Sequence, residues 1–193
     1  MRDYGTTEVG GFGISSPDDL LYIEDVRLIQ QACTSVSVVF DDAAVADFFD
    51  EQVDAGRQPE QFARLWLHTH PGDCPQPSLT DEETFSRVFG GTDWAVMFIV
   101  AAGGPTYCRI RFNVCPGCET ELDVAVDYDR PFTGSDFKAW EQEYWENVRS
   151  APWALNDDPR DVLEPLPQLI GELDEWESIW DEGLGFGPVR QTT

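Results

Sequence analysis

The sequence has very little positive charge. Its 193 residues include 12 Lys and Arg against 37 Asp and Glu, which gives a formal net charge of −25 at pH 7, and Lys138 is the only lysine. Binding to phosphate groups needs clustered Lys and Arg, so we expect neither a nucleic-acid partner nor an anionic membrane surface. The acidic protein surface that this composition predicts suits a basic or mixed-charge protein partner, or serves solubility alone.

Long apolar runs are also missing. No stretch of about 18 apolar residues is present, so no membrane span is expected. The first residues, Met1 to Gly5, lack the apolar core of a signal peptide, and together these absences favour the cytoplasm. Five cysteines are an odd number with irregular spacing, which argues against a disulfide scaffold.

Composition and patterning predict a packed domain of mixed class. Hydrophobic residues make up 41% and aromatic residues 12%, which favours a globular core over disorder. We expect an α/β (α+β) domain in which a single mixed sheet is flanked by helices. Strands are predicted at residues 8–15, 20–31, 33–40, 64–69, 94–102, 106–114 and 121–128, and helices at 41–55, from 78 onward, and at 137–148.

The composition changes after residue 150. Residues 151–193 contain five prolines, ten acidic residues and two basic ones. We therefore predict one domain at 1–150 and an acidic C-terminal extension at 151–193, with a short helix near 170–180. The tryptophans late in the chain have helical spacing, for which core packing is the first interpretation and a partner-binding surface the second.

Both histidines of the chain lie at the end of one predicted strand. Residues i and i+2 of a strand point to the same face, so the imidazoles of His68 and His70 can converge on one metal ion. Asp81 lies in the first turn of the next predicted helix, where Thr80 and Glu83 have capping-box spacing, and can supply a third ligand. Two His and one carboxylate leave a fourth position open, as in catalytic zinc sites. The alternative is a pair of ordinary histidines in a strand-to-loop turn.

The spacing of these residues resembles a known signature. His68-Thr69-His70, a gap of seven residues that begins with Pro71, and Ser78-Leu79-Thr80-Asp81 match the His-x-His-x7-Ser-x2-Asp pattern of the JAMM metalloproteases, also called JAB or MPN-plus domains. The family also needs an upstream glutamate in a Glu-x-Gly-Gly-type segment, which Glu8-Val9-Gly10-Gly11 supplies. The resemblance covers about residues 7–128 and implies a JAMM/cytidine-deaminase-like fold.

The resemblance also implies a role for each motif residue. His68, His70 and Asp81 would bind one Zn²⁺ per chain. Glu8 would act as general base on the zinc-bound water and then protonate the leaving amine. Ser78 would donate a hydrogen bond to the developing oxyanion.

Members of the family hydrolyse amide bonds, often the isopeptide bond at the C-terminal glycine of a ubiquitin-like protein. The implied partners are a ubiquitin-like protein substrate and conjugation-pathway enzymes encoded nearby. The acidic extension would then be a solvated face or would dock on a basic ubiquitin-like surface. Two alternatives stay open: a hydrolase that releases an amino acid or small adduct from a sulfur-carrier ubiquitin-like protein, and a catalytically silent JAMM-like scaffold.

In one respect the chain departs from the family pattern. Family members usually have a helix and part of a strand before the glutamate, whereas only seven residues precede Glu8. If those elements are absent, another segment must cover that face of the sheet, and the aromatic helix at 137–148 is the candidate.

Three of the five cysteines, Cys74, Cys115 and Cys118, have two interpretations each. Cys115 and Cys118 form a Cys-x-x-Cys motif between predicted strands, which could hold a second zinc or form a redox pair. A tight hairpin turn with incidental thiols is the favoured interpretation. Cys74, in the loop after the histidines, is either an ordinary loop thiol or a spare ligand that inhibits the metal centre or senses redox state.

Overall fold

The computed structural model describes residues 2–129 and 136–151. Almost all of the predicted extension at 151–193, including the helix near 170–180, lies outside the described residues. No helix within the described part is long and apolar enough to cross a membrane.

The described chain is of mixed α/β class. Its strands are β1 (Gly10–Ser15), β2 (Ile23–Leu28), β3 (Gln31–Cys33), β4 (Val38–Phe40), β5 (Leu65–His70), β6 (Trp94–Ala101), β7 (Thr106–Phe112), β8 (Cys118–Glu121) and β9 (Val148–Ser150). Its α-helices are α1 (Asp42–Asp54), α2 (Pro59–Phe62), α3 (Leu79–Phe89) and α4 (Phe137–Asn147), and a short 3₁₀ helix spans Arg2–Tyr4.

A six-stranded mixed sheet lies at the centre, in the order β2-β1-β5-β6-β7-β8. Within this sheet, β5 and β6 run parallel, and every other pair of adjacent strands is antiparallel. Helices α1 to α3 pack on the face that carries Phe12, Trp66 and Met97, and together they bury the main core. A smaller apolar cluster around Leu65, Val96 and Ile110 lies on the other face. The predicted mixed sheet flanked by helices is therefore confirmed.

The prediction of one strand at 33–40, and of a single sheet, is wrong. The chain turns between β3 and β4, which pair antiparallel, and β9 joins β3 in parallel to form a second, three-stranded sheet. Thr34 N donates to Ser37 O at 3.0 Å, and the two hydroxyls lie 2.8 Å apart. These local bonds of Thr and Ser give the backbone an alternative to a continuous strand.

The prediction of a strand at 121–128 is also wrong. Strand β8 ends at Glu121, and residues 122–128 carry no regular secondary structure. Val124 and Val126, which gave the alternating pattern, are 45% and 64% exposed. An alternating pattern forms a strand only where the backbone pairs with a neighbour, and the pairing of β8 with β7 ends at Glu121.

Helix α4 packs beside the start of β1. Tyr144 is 3% exposed and lies in one cluster with Val9 and Leu28. The Glu143 carboxylate accepts a hydrogen bond of 2.8 Å from Leu28 N and so occupies a backbone donor of the edge strand β2. The predicted helix at 137–148 therefore exists, ends one residue early, and covers the sheet next to the segment that carries Glu8.

Candidate metal centre

Three side chains converge at the end of β5 and the start of α3. Ligand atoms of His68, His70 and Asp81 all lie within 4.8 Å of one another. His68 Nε2 is 3.3 Å from Asp81 Oδ1, and His70 Nε2 is 3.4 Å from Asp81 Oδ2. Within residues 2–129 and 136–151, no other group of three His, Cys, Asp or Glu side chains is close enough to hold one ion.

Strand β5 places both imidazoles on the helix-covered face of the sheet. His68 is fully buried and its ring stacks on Trp66 with 4.2 Å between centroids. Thr69, between the two histidines, points to the opposite face, where its Oγ1 accepts from Val9 N at 3.0 Å. Because side chains alternate along β5, the two histidines lie on one face, and Thr69, which binds the segment at Val9, lies on the other.

The loop after β5 orients His70. The ring Nδ1 is 2.9 Å from the carbonyl oxygen of Cys74. Because a carbonyl only accepts, Nδ1 carries the hydrogen and the lone pair is left on Nε2, which faces Asp81. Cys74 thus contributes its backbone carbonyl, while the residue itself is exposed.

The capping box at the start of α3 is formed by Ser78 and Asp81. Asp81 N donates to Ser78 Oγ at 3.2 Å, and Ser78 N donates to Asp81 Oδ2 at 2.6 Å. The predicted pair, Thr80 and Glu83, is wrong because the helix begins at Leu79, which makes Ser78 the N-cap. The same Ser-x-x-Asp spacing that resembles the metalloprotease signature is therefore also the spacing that starts the helix.

Glu8 lies beside the three residues and is held by its backbone. Its Oε1 is 3.9 Å from His70 Nε2, and its side chain is 6% exposed. Glu8 N donates to Thr34 O at 2.8 Å, while Thr69 N donates to Val9 O at 2.9 Å. A glutamate close to the start of the sequence is thus fixed to β5 and to the β3–β4 turn.

Burial and mutual contact set the charges of these groups. Burial, then the nearby Asp81 carboxylate, raise the pKa of Glu8 to about 7, and His70 opposes the shift. Burial would raise the pKa of Asp81, but the imidazoles of His68 and His70 outweigh it and the pKa is lowered. Burial lowers the pKa of His68 despite Asp81, so its imidazole is neutral, the form that binds metal. Contact with Asp81 raises the pKa of His70.

Several buried atoms of the site have no hydrogen-bond partner. They include Nε2 of His68, Nε2 of His70 and Oε2 of Glu8. Buried polar atoms are nearly always paired, so three unpaired atoms around one point need an explanation. A divalent cation would accept the two imidazole lone pairs and the Asp81 carboxylate, and two nitrogens with one oxygen are a donor set that suits Zn²⁺. These residues therefore fit a metal ion.

All five predicted site residues meet in this region, but Ser78 differs from the rest. Glu8, His68, His70 and Asp81 are buried or nearly so, whereas Ser78 is exposed and its visible contact is the helix cap. Sequence reasoning missed Gln31 and Thr69, which bind the backbone at Gly10 and Val9. The only signal in the sequence is a polar residue inside or beside an apolar strand.

The Cys-x-x-Cys motif forms a tight turn between β7 and β8. Gly117 N donates to Val114 O at 2.5 Å, and both Cys115 and Cys118 are exposed free thiols. The favoured prediction of a hairpin turn is thus confirmed, and the described residues bring no third ligand near the two thiols.

No protein-family model and no curated protein matches the chain.

Proposed function

We propose that the chain is a zinc-dependent isopeptidase or protease with a JAMM-like fold. Its substrate would be a ubiquitin-like protein, cleaved after the C-terminal glycine during deconjugation or precursor processing. The observation that carries the proposal is the buried group of His68, His70 and Asp81 with the Glu8 carboxylate 3.9 Å from His70 Nε2. Two imidazoles, one carboxylate and an adjacent glutamate are the parts that metal-assisted amide hydrolysis requires.

Under this proposal Glu8 transfers protons. A zinc ion at His68, His70 and Asp81 would supply a Lewis acid that polarises a carbonyl and lowers the pKa of a water toward ~7. The Glu8 carboxylate, 3.9 Å from His70 Nε2, would accept a proton from the attacking water and return it to the leaving amine. Its side chain is largely shielded from solvent, which keeps bulk water from competing for the proton.

Under this proposal Ser78 donates a hydrogen bond to the substrate. Its oxygen already accepts from Asp81 N, so its hydroxyl hydrogen is available to a substrate oxygen. Its exposure at the start of α3 makes it accessible to an incoming chain. In this role the serine would stabilise the negative charge that develops on the scissile carbonyl.

Charge favours a partner with a basic surface. The chain carries a formal net charge of −25, which speeds encounter with positively charged proteins and repels phosphate polymers. A ubiquitin-like protein with basic surface patches would satisfy this condition. Conjugation-pathway enzymes encoded nearby would then act in the same pathway, in the cytoplasm.

Replacement of Glu8 by Gln tests the proposal. The amide keeps the size of the side chain but cannot accept the proton, so turnover should fall at least ~100-fold while one zinc per chain stays bound. Zinc is measured by elemental analysis, and cleavage is measured on ubiquitin-like proteins fused through their C-terminal glycine to a reporter domain.

The matched control is Glu143→Gln. Glu143 is also an acid shielded from solvent, but its carboxylate accepts from Leu28 N on the edge strand β2, and the amide oxygen of the variant retains that bond. It should keep full activity. Undiminished cleavage by Glu8→Gln would contradict the role of Glu8. One equivalent of zinc without cleavage of any fusion would favour the silent scaffold.

A further inference from the structure

Gln31 is a buried polar side chain next to the candidate site, with no role assigned so far. It is the first residue of β3 and only 4% exposed. Strand β2 ends at Leu28, opposite Gly11, so Gly10 has no strand partner on that side of β1. The side-chain amide of Gln31 takes the place of the missing strand.

The amide of Gln31 binds both backbone groups of Gly10. Gly10 N donates to Gln31 Oε1 at 2.8 Å, and Gln31 Nε2 donates to Gly10 O at 2.8 Å. This pair of bonds is the exchange that two residues make in an antiparallel ladder. The side chain therefore acts as a one-residue extension of the sheet.

Further bonds fix the orientation of the amide. Gln31 Nε2 also donates to Ile29 O at 2.7 Å, and Cys33 Sγ donates to Gln31 Oε1 at 3.3 Å. A flipped amide would set donor against donor and acceptor against acceptor at these contacts. The network is fully satisfied, which makes it rigid and costly to break.

Gly10 needs this support because of its size and position. A Cβ at this residue would lie 2.9 Å from Phe40 Cζ and 2.9 Å from Val38 Cγ1, so the close approach of the β3–β4 hairpin requires glycine. Glycine has the greatest backbone freedom of any residue. On its other side Gly10 pairs with His68, and Glu8 lies two residues upstream. Motion at Gly10 would therefore move the Glu8 carboxylate relative to the histidines.

We propose that Gln31 is a positioning residue for Glu8. By holding Gly10 from the side opposite His68, it keeps the Glu8 carboxylate at the distance from His70 that the structure shows. The proton-transfer role of Glu8 rests on the proposed function, whereas the positioning itself can be measured on the metal centre and on the backbone.

The test compares two buried glutamines that bind the same strand at opposite ends. Gln61 Nε2 donates to Ser15 O at 3.3 Å, at the far end of β1 from Glu8, and Gln61 is 9% exposed. Gln31→Met and Gln61→Met each remove one buried amide that binds β1, which makes Gln61→Met the matched control. The probe is Co²⁺ alone, whose visible absorption depends on the groups around the metal and on their protonation.

Gln31→Met should still bind one Co²⁺ per chain. The pH midpoint of the Co²⁺ absorption spectrum should shift by at least ~0.5 pH unit, in the same direction as the shift that Glu8→Gln produces. Hydrogen exchange at Val9 and Gly10 should become faster at the same time. Gln61→Met should leave the midpoint and the exchange at these two amides as in the wild type. Gln31→Glu keeps an acceptor for Gly10 N but sets an oxygen against the carbonyls of Gly10 and Ile29, so exchange at Gly10 should also become faster.

An unchanged midpoint in Gln31→Met, or an equal shift in Gln61→Met, would overturn the positioning role. If Gln31→Met does not fold, hydrogen exchange is compared in Gln31→Glu, where unchanged exchange at both Val9 and Gly10 would overturn it. Absence of Co²⁺ binding by the wild type would instead refute the metal centre and the proposed function. The exchange of Val9 and Gly10 would then still decide whether Gln31 restrains this segment.

Discussion

Asp81 serves the helix and the candidate metal centre with one carboxylate. Its Oδ2 accepts from Ser78 N at 2.6 Å and also lies 3.4 Å from His70 Nε2, while Oδ1 lies 3.3 Å from His68 Nε2. The hydrogen bond from the cap holds the carboxylate in the orientation that a metal ion would need. A change at this residue would therefore affect both the start of α3 and metal binding.

The cysteines should differ sharply in reactivity. Burial, then the Glu8 charge, raise the pKa of Cys33 to about 12, and burial raises the pKa of Cys108 to about 11, so both are protonated at neutral pH. Because the thiolate is the nucleophile, these two should resist alkylation in the folded protein, and the rate at Cys108 should rise with pH toward 11. The three exposed thiols, Cys74, Cys115 and Cys118, should react readily.

The measurement is iodoacetamide labelling at pH 7.5, read by peptide mass spectrometry before and after unfolding in guanidinium. Three labelled cysteines in the native state and five after unfolding are expected. Rapid native labelling of Cys33 would show that the segment around Glu8 opens more readily than its burial implies.

At the scale of the element, Ser78 is the N-cap of α3, and under the proposed function the same residue also donates to the oxyanion. Ser78→Ala removes the acceptor for Asp81 N, so the free energy of unfolding should fall by about 1 kcal/mol, while the backbone bond from Ser78 N that orients the Asp81 carboxylate is kept. Ser78→Asp restores an acceptor at the cap but offers no hydroxyl hydrogen.

Urea unfolding and steady-state cleavage separate the two functions. Ser78→Asp should recover the stability that Ser78→Ala loses, while both variants should cleave more slowly, by about 10²-fold or more if the serine contacts the oxyanion. Full activity of Ser78→Asp would show that Ser78 acts through the helix cap alone.

Elements with a strong local signal could be predicted from the sequence, and others could not. Helix α1 follows from Asp41, whose carboxylate accepts from Ala44 N, and from the helical spacing of its apolar residues. The segment 33–40 could not be resolved, because the Thr34–Ser37 bonds that turn the chain compete with a strand pattern of equal strength.

The site shows the same division. His68, His70 and Asp81 could be predicted because one strand and one helix start fix their relative positions over a short stretch. Gln31 and Thr69 could not, since Gln31 acts on Gly10 across 21 residues and Thr69 on Val9 across 60. Such contacts depend on the pairing of strands and leave no fixed spacing in the sequence.

Across the whole molecule, acidic charge is in large excess, and among the described residues Arg2, Arg27, Arg109 and Arg111 form ion pairs. The Glu82 carboxylate forms ion pairs with the guanidinium groups of Arg109 at 2.7 Å and Arg111 at 3.1 Å. The Arg111 guanidinium also lies 4.9 Å from the centre of the Phe85 ring. This cluster ties the first turn of α3 to β7. Most other carboxylates repel one another, since the formal net charge is −25.

Salt should therefore stabilise the folded chain. Raising NaCl from about 0.05 M to about 0.5 M shortens the screening length from roughly 14 Å to roughly 4 Å, so self-repulsion weakens and Tm at pH 7 should rise by several degrees. Differential scanning calorimetry measures the change. At about pH 4, where many carboxylates are protonated, the same salt step should have a smaller effect, and a fall of Tm at pH 7 would contradict the explanation.

The burial of the four central side chains also limits the direction of approach. His68 is 0%, Asp81 4%, Glu8 6% and His70 12% exposed, so solvent reaches the group mainly from the side of His70. A bond on the surface of a compact domain cannot be brought to these atoms without local unfolding of one of the two proteins. Under the proposed function, the enzyme would therefore select its targets by the reach of a free or loosely attached chain end, before any recognition of sequence.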